Sequence, residues 1–446
     1  MSNILIIGAG RSAGSLIQYM LHQAAAHQWN VTVADADFHT AEEKMNAHPK
    51  GRAVALNVLN ADERKALISN ADIVISLLPP HLHIEAARDC ATLGKHLITA
   101  SYVSKEIQQL DEAVRAKGLL FMGEMGLDPG IDHMSAMQSI HQIQSGGGVV
   151  TAFRSYTGGL VAPESDTNPW HYKISWNPRN VVLAGQGTAQ YMENGQLKFI
   201  PYNRLFKDHH LVYIPGMGPY EAYANRDSLS YRSLYEMPDI PSILRGTLRH
   251  VGFCEAWNAL VQIGLTDASF NIADSAHLSY HQLLEGFMDK HHPGKNLKER
   301  VAHFLGLEPG HPVMEKLDWL GLFSNKKIGI PNAGPAVILE NLLLEKWPLL
   351  ENDKDMVIMQ HEFEYNLAGK KHLKTATLVM KGENRQDTAM AKTVGLPMGI
   401  LAKLVLLGKI PLTGVHIPVM KEVYEPVLEE LTNYGVVFEE HERLLD

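Results

Sequence analysis

The stretch that most constrains the fold lies at the start of the chain. Residues 4–14 read Ile-Leu-Ile-Ile-Gly-Ala-Gly-Arg-Ser-Ala-Gly. An apolar strand, a glycine turn and the start of a helix, in this order, form the dinucleotide-binding fingerprint of a Rossmann domain. Gly8 permits the tight turn, Gly10 lets the backbone approach a pyrophosphate, and Ala13 occupies the small position where helix and strand pack. The sequence therefore predicts an α/β fold that begins with a nucleotide-binding unit.

A carboxylate follows at the expected distance. Residues 30–35 read Asn-Val-Thr-Val-Ala-Asp, a second apolar strand that ends at Asp35. At this place an acidic residue binds the ribose hydroxyls of NAD, whereas an arginine accommodates the 2′-phosphate of NADP. Asp35 is followed by Ala36 and Asp37, without an arginine. We therefore expect NAD as the cofactor and NADP as the less favoured one.

Short apolar runs continue to alternate with helical periodicity, as in a doubly wound sheet. Strands are predicted at residues 4–7, 31–34, 53–56, 73–77, 96–99 and 119–122, so that residues 1–125 form the Rossmann domain. Ligands of such sheets lie outside the carboxyl ends of the strands. The predicted cofactor contacts follow the fingerprint and the strand ends: Gly8, Gly10, Arg11, Ser12, Ala13, Asp35, Asn57, Leu77, Leu78, Ser101, Leu127 and Asp128.

Composition excludes several other classes of protein. Of the 446 residues, 45% are apolar and 20% charged, as in ordinary globular proteins, and the net charge of −9 argues against nucleic acid as a partner. No uninterrupted apolar stretch approaches membrane-spanning length, so no membrane partner is expected. Cys90 and Cys254 are the two cysteines, which indicates a reducing, cytoplasmic location.

The pattern of strand-like and helical segments changes beyond the first domain. Residues 149–225 and 357–379 contain strand-like runs, whereas residues 242–322 are mainly helical. The predicted division is a Rossmann domain at 1–125, completed by about 388–446, an α/β domain at 126–235 and 325–387, and a helical insertion at 236–324.

Residues that could transfer protons follow the fifth and sixth strands. Ser101 and Tyr102 come after the fifth, and Asp128 lies after the sixth in Asp-Pro-Gly. A carboxylate and a phenol there could exchange protons with a substrate nitrogen or hydroxyl. Asp-Pro-Gly is also ordinary turn chemistry, so Asp128 has a structural alternative, and Asp132 is interpreted as a helix N-cap.

The second domain offers cationic side chains. Arg226, Arg245 and Arg249 lie in small polar clusters, and guanidinium groups suit substrate carboxylates, although surface ion pairs are the alternative for each. Lys173 could transfer protons if it is desolvated, or it could be a solvated strand lysine. The histidines do not show the spacing of metal ligands, so no metal site is predicted.

Several longer segments together resemble the glutamate-forming saccharopine dehydrogenase family over nearly the whole chain. They are Ile75-Ser-Leu-Leu-Pro79, Thr99-Ala-Ser-Tyr102, residues 123–134, Gly158-Gly-Leu-Val-Ala-Pro-Glu164, Tyr172-Lys-Ile-Ser-Trp176, Asn225-Arg-Asp-Ser228, Arg245-Gly-Thr-Leu-Arg249 and Met390-Ala-Lys-Thr-Val-Gly-Leu-Pro397. The resemblance implies a Rossmann domain completed by the C-terminus, an α/β catalytic and dimerisation domain with a helical insertion, and a homodimer.

The resemblance also implies a reaction and a set of contacts. The family oxidises the secondary amine of saccharopine to an imine, which water opens to L-glutamate and 2-aminoadipate 6-semialdehyde. The implied catalytic residues are Asp128, Tyr102 and, by its chemistry, Lys173, and the implied substrate contacts are Ser101, Tyr102, Asp128, Arg226, Thr247, Leu248 and Arg249. Fungal members have a cysteine where this chain has Thr157. A threonine does not titrate near neutral pH, so that role is left unassigned.

Two other functions are weighed against this one. Carboxynorspermidine or carboxyspermidine dehydrogenase reduces a similar imine. Its substrate has fewer carboxylates, so the two arginine clusters favour saccharopine. A non-catalytic dinucleotide-binding protein would be expected to lack Asp128, Tyr102 or the arginines, which are all present.

Overall fold

The computed structural model describes residues 1–289 and 292–445. Its strands are β1 Asn3–Ile7, β2 Asn30–Asp35, β3 Gly51–Ala55, β4 Ile73–Ser76, β5 His96–Thr99, β6 Leu120–Met122, β7 Val149–Val161, β8 Ala189–Glu193, β9 Gln196–Ile200, β10 His210–Ile214, β11 Gly218–Ala224, β12 Ser242–Arg249, β13 Asp355–Leu367, β14 Lys370–Lys381, β15 Gly414–His416 and β16 Glu439–Leu445.

The α-helices alternate with these strands in the first third of the chain and are grouped later. They are α1 Gly14–His27, α2 Phe38–Met45, α3 Ala61–Ser69, α4 His83–Leu93, α5 Lys105–Gln108, α6 Asp111–Ala116, α7 Ile131–Ser145, α8 Pro178–Val182, α9 Tyr202–Leu205, α10 Tyr231–Leu234, α11 Phe253–Ile263, α12 Tyr280–Gly286, α13 Leu297–Leu305, α14 Pro312–Leu320, α15 Pro335–Lys346, α16 Ala389–Leu406 and α17 Lys421–Thr432. Short 3-10 helices lie at Arg11–Ala13, Pro80–Leu82, Pro163–Ser165 and Ser275–His277.

The first sheet is parallel and has the strand order β15-β6-β5-β4-β1-β2-β3. Its central strands β1 and β4 are mainly apolar and are buried along nearly their whole length, as expected of parallel strands covered on both faces. The reversal of strand order beside β1 is the switch point at which open α/β sheets bind ligands. The predicted α/β class and the six N-terminal strands are confirmed, and β15 adds a seventh strand from late in the sequence.

Helix α16 completes this domain by packing against α1. A Cβ at Gly395 would lie 3.0 Å from the backbone nitrogen of Leu16, so the two helices approach closely because glycine faces the contact. By length and apolar composition α16 could cross a membrane, although Lys392 and Lys403 interrupt its apolar run. The helix is 72% buried within the protein, as expected of a core helix.

The second sheet is mixed and has the order β10-β11-β12-β7-β13-β14-β16, with β8 paired to β12 and β9 paired to β8. Strands β12 and β7 at its centre are parallel, and their neighbours β11 and β13 are antiparallel to them. Because successive side chains of a strand point to opposite faces, residues 245, 247 and 249 of β12 lie on one face of the sheet. This face is turned towards the first domain.

Helices α11 to α15 form a helical body around one apolar core, which includes Trp257, Leu284, Val301, Leu317 and Leu342 and extends to Tyr223 of β11. The predicted insertion at 236–324 is therefore wrong at both ends, because β12 belongs to the second sheet and α15 packs with the helical body. The C-terminal boundary also changes. Strand β16 pairs with β14, so the piece at 388–446 returns to the second sheet instead of ending in the Rossmann domain.

Candidate functional site

A cleft lies between the carboxyl ends of the first sheet and the central strands of the second. It has a volume of about 200 Å³ and is lined by Ala100, Leu127, Asp128, Thr157, Trp176, Tyr223, Thr247, Arg249 and Met390. The loops after β5 and β6 supply one wall, whereas β7, β11 and β12 supply the other. Polar side chains from two domains thus meet at one place.

The fingerprint turn forms one end of this region. Gly8 has a φ of +106°, and a Cβ there would lie 3.0 Å from the carbonyl oxygen of Leu77, so this turn requires glycine. A Cβ at Gly10, by contrast, would meet nothing within 4 Å, which leaves open space above the start of the helical segment. The backbone therefore offers the open cradle and helix start that a pyrophosphate needs.

The predicted cofactor residues all follow carboxyl ends of adjacent strands. The residues concerned are Gly8 to Ala13 after β1, Asp35 at the end of β2, Asn57 after β3, Leu77 and Leu78 after β4, Ser101 after β5, and Leu127 and Asp128 after β6. The topology brings these residues to one edge of the sheet. Their contacts with a cofactor stay a prediction.

Asp128 binds Arg245 at the centre of the cleft. The guanidinium Nη2 of Arg245 donates to Asp128 Oδ1 at 2.6 Å and to Asp132 Oδ2 at 2.6 Å. Arg245 is buried, and its Cζ lies 4.0 Å from the ring centroid of Tyr231, which stabilises the cation by a cation–π contact. One cation thus sits between two carboxylates.

The two carboxylates differ in their surroundings. Burial raises the pKa of Asp128, and Arg245 offsets only part of that effect. Burial also acts on Asp132, but the neighbouring His133 and Arg245 outweigh it and lower the pKa of this carboxyl. The side chain of Asp128 keeps 17% of its exposure, towards the cleft, whereas that of Asp132 keeps 1%. Asp128 is therefore the group of the pair that is suited to exchange a proton.

Asp132 is not the N-cap of α7. The N-cap is Gly130, and Asp132 Oδ1 accepts a hydrogen bond from its N–H at 2.6 Å. The other oxygen of Asp132 binds Arg245. The carboxylate combines a backbone contact at the helix start with a buried ion pair, which the short-range capping pattern could not indicate.

Tyr102 extends from the loop after β5 towards the same charges. Its ring is 51% exposed, but its hydroxyl end lies beside Arg245, Asp128 and Asp132 and interacts with the Arg245 guanidinium. Burial of the hydroxyl, with the two carboxylates, raises the pKa of Tyr102 to about 12. The phenol is therefore protonated at neutral pH and can donate a hydrogen bond.

A buried polar chain supports the loops that carry Tyr102 and Asp128. His133 Nε2 lies 2.9 Å from Glu124 Oε2, and His133 Nδ1 lies 2.7 Å from the hydroxyl of Tyr235. The other oxygen of Glu124 accepts a hydrogen bond from the N–H of Val103 at 3.2 Å. The loop after β5 is thus tied to α7.

Arg249 presents a buried guanidinium without a carboxylate partner among the described residues. It is 3% exposed, its Nη1 donates to the carbonyl of Leu248, and its Nη2 lies 3.3 Å from the hydroxyl of Tyr223. Its Nε makes no hydrogen bond. A desolvated cation that lines a cleft without an anion is the arrangement expected of a carboxylate-binding site.

Thr247 lies on the same face of β12 as Arg249, and its hydroxyl donates to Asn225 Oδ1 at 2.8 Å. Leu248 points to the opposite face, where it is fully buried in an apolar cluster against Gly158. The side chain of Leu248 is thus turned away from the cleft, because side chains alternate along a strand, and the predicted contact of Leu248 with substrate stays a prediction. The same alternation places Arg245 in the site.

Two predicted residues lie apart from this centre. Lys173 is buried and donates to Asp353 Oδ2 at 2.6 Å, and it does not line the cleft. The structure thus gives Lys173 an ion pair, neither a solvated position nor a place beside Asp128. Arg226 is exposed, packs over Gly187, and makes no ion pair with any residue that the structure describes.

Thr157 lies beside Asp128 in the cleft. Its Oγ1 is buried and lacks a hydrogen bond of good geometry, although it is close enough to the Asp128 carboxyl to lower that group's pKa slightly against the effect of burial. A hydroxyl here can donate or accept one hydrogen bond but cannot titrate near neutral pH. No group of three or more His, Cys, Asp or Glu side chains within residues 1–289 and 292–445 is arranged to hold a metal ion.

Comparison with family models covers almost the whole chain. Residues 4–122 match the model described as the saccharopine dehydrogenase NADP binding domain, and residues 126–436 match the saccharopine dehydrogenase C-terminal domain. The resemblance inferred from the sequence motifs is thereby confirmed.

Individual relatives agree with these matches. Saccharopine dehydrogenase [NADP(+), L-glutamate-forming] from Schizosaccharomyces pombe is 33% identical over 99% of both chains. Mitochondrial alpha-aminoadipic semialdehyde synthase from Bos taurus is 34% identical over 98% of this chain and 47% of that protein. The solved structure of apo histidine-tagged saccharopine dehydrogenase (L-Glu forming) from Saccharomyces cerevisiae superimposes with a TM-score of 0.89 at 31% identity, covering 99% of this chain and 100% of the other.

The expectation of NAD as the preferred cofactor is wrong. The family model that matches residues 4–122 is described as an NADP binding domain, and the fungal relatives are named for NADP(+). The surroundings of Asp35 in the structure also differ from what its sequence neighbours indicated. Both oxygens of Asp35 accept backbone N–H groups, from Ala9 at 2.6 Å and from Asp37 at 2.9 Å, and the amine of Lys44 lies nearby and donates to the carbonyl of Gly10. A positive charge is present there, although it comes from α2 rather than from the residues after Asp35.

Proposed function

Because this chain belongs to the saccharopine dehydrogenase family, we propose that it oxidises saccharopine to L-glutamate and 2-aminoadipate 6-semialdehyde with NADP. The observation that carries this proposal is the pairing, within one cleft, of a carboxyl with a raised pKa and a buried, unpaired guanidinium. Asp128 is the carboxyl and Arg249 is the guanidinium. A substrate that has both an ionisable amine and carboxylates would match both groups.

When NADP is bound, its nicotinamide takes up the hydride from the carbon next to the substrate nitrogen. The protein's task is then to move protons. As the C–H bond breaks and the C=N bond forms, the carboxylate of Asp128 accepts the N–H proton. Arg245 stabilises the resulting pair, in which Asp128 is protonated and Asp132 is ionised. Water then adds to the imine carbon, and a proton returns to nitrogen as the C–N bond breaks. Tyr102 donates a hydrogen bond to the same region because its phenol is protonated at neutral pH.

Arginines are assigned to the substrate carboxylates. Arg249 binds one carboxylate inside the cleft, and Arg226 binds another at its exposed edge, where it has no other ionic partner among the described residues. Saccharopine has three carboxylates, so two cationic contacts are chemically reasonable. The residues that remain near the cleft are mainly apolar and exclude water from the reacting nitrogen.

Arg249→Gln and Arg226→Ala should each raise the KM for saccharopine while leaving NADPH affinity unchanged. Loss of a desolvated charge partner typically costs about 2 to 5 kcal/mol, so the effect at buried Arg249 should be about thirtyfold or more, and at exposed Arg226 smaller. Steady-state kinetics and NADPH fluorescence titration measure the two effects. Arg232→Ala on α10 is the matched control, and an unchanged KM for Arg249→Gln would contradict the assignment.

NADP(H) is assigned through Lys44. The 2′-phosphate of NADP binds beside the end of the second strand of a Rossmann sheet, where Asp35 is occupied by backbone N–H groups and the Lys44 amine lies close. The Gly8 and Gly10 turn fits the pyrophosphate. The positive charge of the Lys44 amine would therefore offset the repulsion between the Asp35 carboxylate and the 2′-phosphate.

Lys44→Gln should weaken NADPH binding about tenfold and change NADH binding by less than about twofold, because about 1.4 kcal/mol of charge attraction corresponds to a factor of ten. Titration of protein fluorescence with each nucleotide measures the two affinities. Lys65→Gln, on the exposed face of α3, is the control and should change neither. An equal loss for both nucleotides would show that Lys44 supports the turn and does not recognise the phosphate.

The products provide the test of the proposed reaction. Incubation of the purified protein with saccharopine and NADP should release L-glutamate in an amount equal to the NADPH formed, as measured by amino-acid analysis and absorbance. Lysine as the product would mean that the other C–N bond is broken, and would contradict the proposal. Absence of any NADPH formation would favour a protein that binds a dinucleotide without catalysis.

We further propose a homodimer joined through the second sheet. Edge strand β10 exposes Leu211 and Tyr213, which are 62% and 69% accessible, and the β8–β9 hairpin exposes Leu197 and Phe199. Apolar side chains on an edge strand are usually covered by a partner. Light scattering at micromolar concentration should give twice the chain mass of 49.5 kDa, and the mass of a single chain would contradict the dimer.

A further inference from the structure

A buried histidine connects the ends of two neighbouring strands in the first sheet. Ser76 is the last residue of β4, and its Oγ lies 2.9 Å from Nδ1 of His83. The other ring nitrogen, Nε2, lies 2.9 Å from the Oγ of Ser101, which follows β5. His83 is 2% exposed and Ser76 is fully buried. Three side chains from separate segments thus form one continuous hydrogen-bonded row that ends at the cleft edge.

The imidazole in this row is neutral at neutral pH. Burial, with a smaller contribution from the nearby His81, lowers the pKa of His83 to about 4. A neutral imidazole donates through one nitrogen and accepts through the other, so each serine has a defined partner in either tautomer. If Nε2 carries the hydrogen, Ser101 accepts it, and the hydroxyl proton of Ser101 is free to donate to a bound molecule.

The position of Ser101 gives this row its importance. The backbone of Ser101 is held by the N–H of Glu124, which donates to its carbonyl at 3.0 Å, and the next residue is Tyr102. The hydrogen bond with His83 restrains the side chain of Ser101 as well. A serine on a loop otherwise samples several rotamers, and an ordered hydroxyl loses less entropy on binding a ligand.

We propose that His83 is a positioning residue, which holds the Ser101 hydroxyl in one orientation towards the substrate and the nicotinamide half of the cofactor. His83 does not touch either molecule, and acts only through Ser101. The inference rests on the proposed function for its substrate, but the arrangement of the three side chains is independent of which amine is oxidised.

The test is a double-mutant cycle between His83 and Ser101. His83→Phe, which keeps a ring of similar size, should lower kcat/KM for saccharopine about tenfold and weaken NADPH binding about threefold. Ser101→Ala should have effects of similar size. In the Ser101→Ala background, His83→Phe should cause no further loss beyond about twofold, because the group on which it acts is already removed.

Conservative variants separate positioning from a general contribution to folding. His83→Gln, whose amide can reach one of the serines, should recover part of the activity lost in His83→Phe, and serves as the second variant if the phenylalanine protein does not fold. His81→Gln, an exposed histidine in the same segment, should behave like the wild type. The thermal midpoints of all variants are measured alongside.

Two outcomes would overturn the proposal. One is an equal loss from His83→Phe in the wild-type and Ser101→Ala backgrounds, which would show that the histidine acts only on overall structure. The other is an effect below about twofold on both kcat/KM and NADPH affinity. If the wild-type protein does not turn over saccharopine, the proposed function fails, and the cycle in NADPH affinity still decides the role of His83.

Discussion

Asp128→Asn is expected to lower kcat by about a hundredfold or more while leaving the fold and the affinity for NADPH unchanged. Asparagine fills nearly the same space and can still accept a hydrogen bond from Arg245, but it cannot take up a proton. Loss of a positioned general acid or base typically costs about 10²- to 10⁴-fold in rate. Burial raises the pKa of Asp128, so the wild-type pH profile should contain an ionisation that the variant lacks.

Stopped-flow and steady-state measurements of NADPH formation over a range of pH test this expectation. Asp166→Asn is a suitable control, since that carboxylate binds His171 outside the cleft and should leave kcat unchanged. If Asp128→Asn keeps the wild-type turnover and pH dependence, Asp128 is only a turn residue of the Asp-Pro-Gly segment.

Arg245→Met should lower the free energy of unfolding by about 3 to 5 kcal/mol, the largest stability effect that we expect for a single substitution. It removes the one cation between Asp128 and Asp132 and leaves two buried carboxylates facing each other. Because uncompensated buried carboxylates favour their protonated forms, the loss should be largest at neutral pH and shrink as the pH falls.

Chemical denaturation at neutral and acidic pH measures this difference. Arg154→Met is the matched control, because Arg154 lies on the same sheet, pairs with Glu364 at 2.8 Å and keeps 32% of its exposure, so its loss should cost less than about 1 kcal/mol. The double variant Arg245→Met/Asp132→Asn should be more stable than Arg245→Met alone. An equal cost at the two arginines would contradict the account of the buried cluster.

Local patterns in the sequence were sufficient for the nucleotide-binding sheet. The six strand positions depend on apolar runs between helical segments, and Gly8 is required by the conformation of its own turn. These features are determined within a few residues, and long-range packing does not change them. The seventh strand was missed because β15 contains three residues and pairs with β6 from almost three hundred positions away.

The candidate site could be predicted only in part, because its ion pairs join distant segments. The prediction brought Asp128, Tyr102 and Arg249 near one another, but Arg245 was recognised only as a carboxylate-binding candidate, although it binds two aspartates of the chain itself. The period of two along β12 was the available signal, since it separates residues 245, 247 and 249 from Leu248.

Other errors have the same origin. Asp132 fits the local pattern of a cap, and only the position of β12 shows its ion pair with Arg245. The partner of Lys173 is Asp353, far along the chain. The preference for NAD rested on the residues directly after Asp35 alone, whereas Lys44, which lies near Asp35, belongs to the following helix.

The most direct test of the central claim is a comparison of substrates with the purified wild-type protein. Formation of the reduced nucleotide, NADPH or NADH, is followed in parallel with saccharopine and with carboxyspermidine, each with NADP and with NAD. A cleft lined by Asp128 and Arg249, with Arg226 as the proposed contact at its edge, predicts a higher kcat/KM for saccharopine, the amine with more carboxylates, and for NADP over NAD. A higher kcat/KM for carboxyspermidine would contradict the assignment of the arginines to substrate carboxylates and, with it, the proposed function.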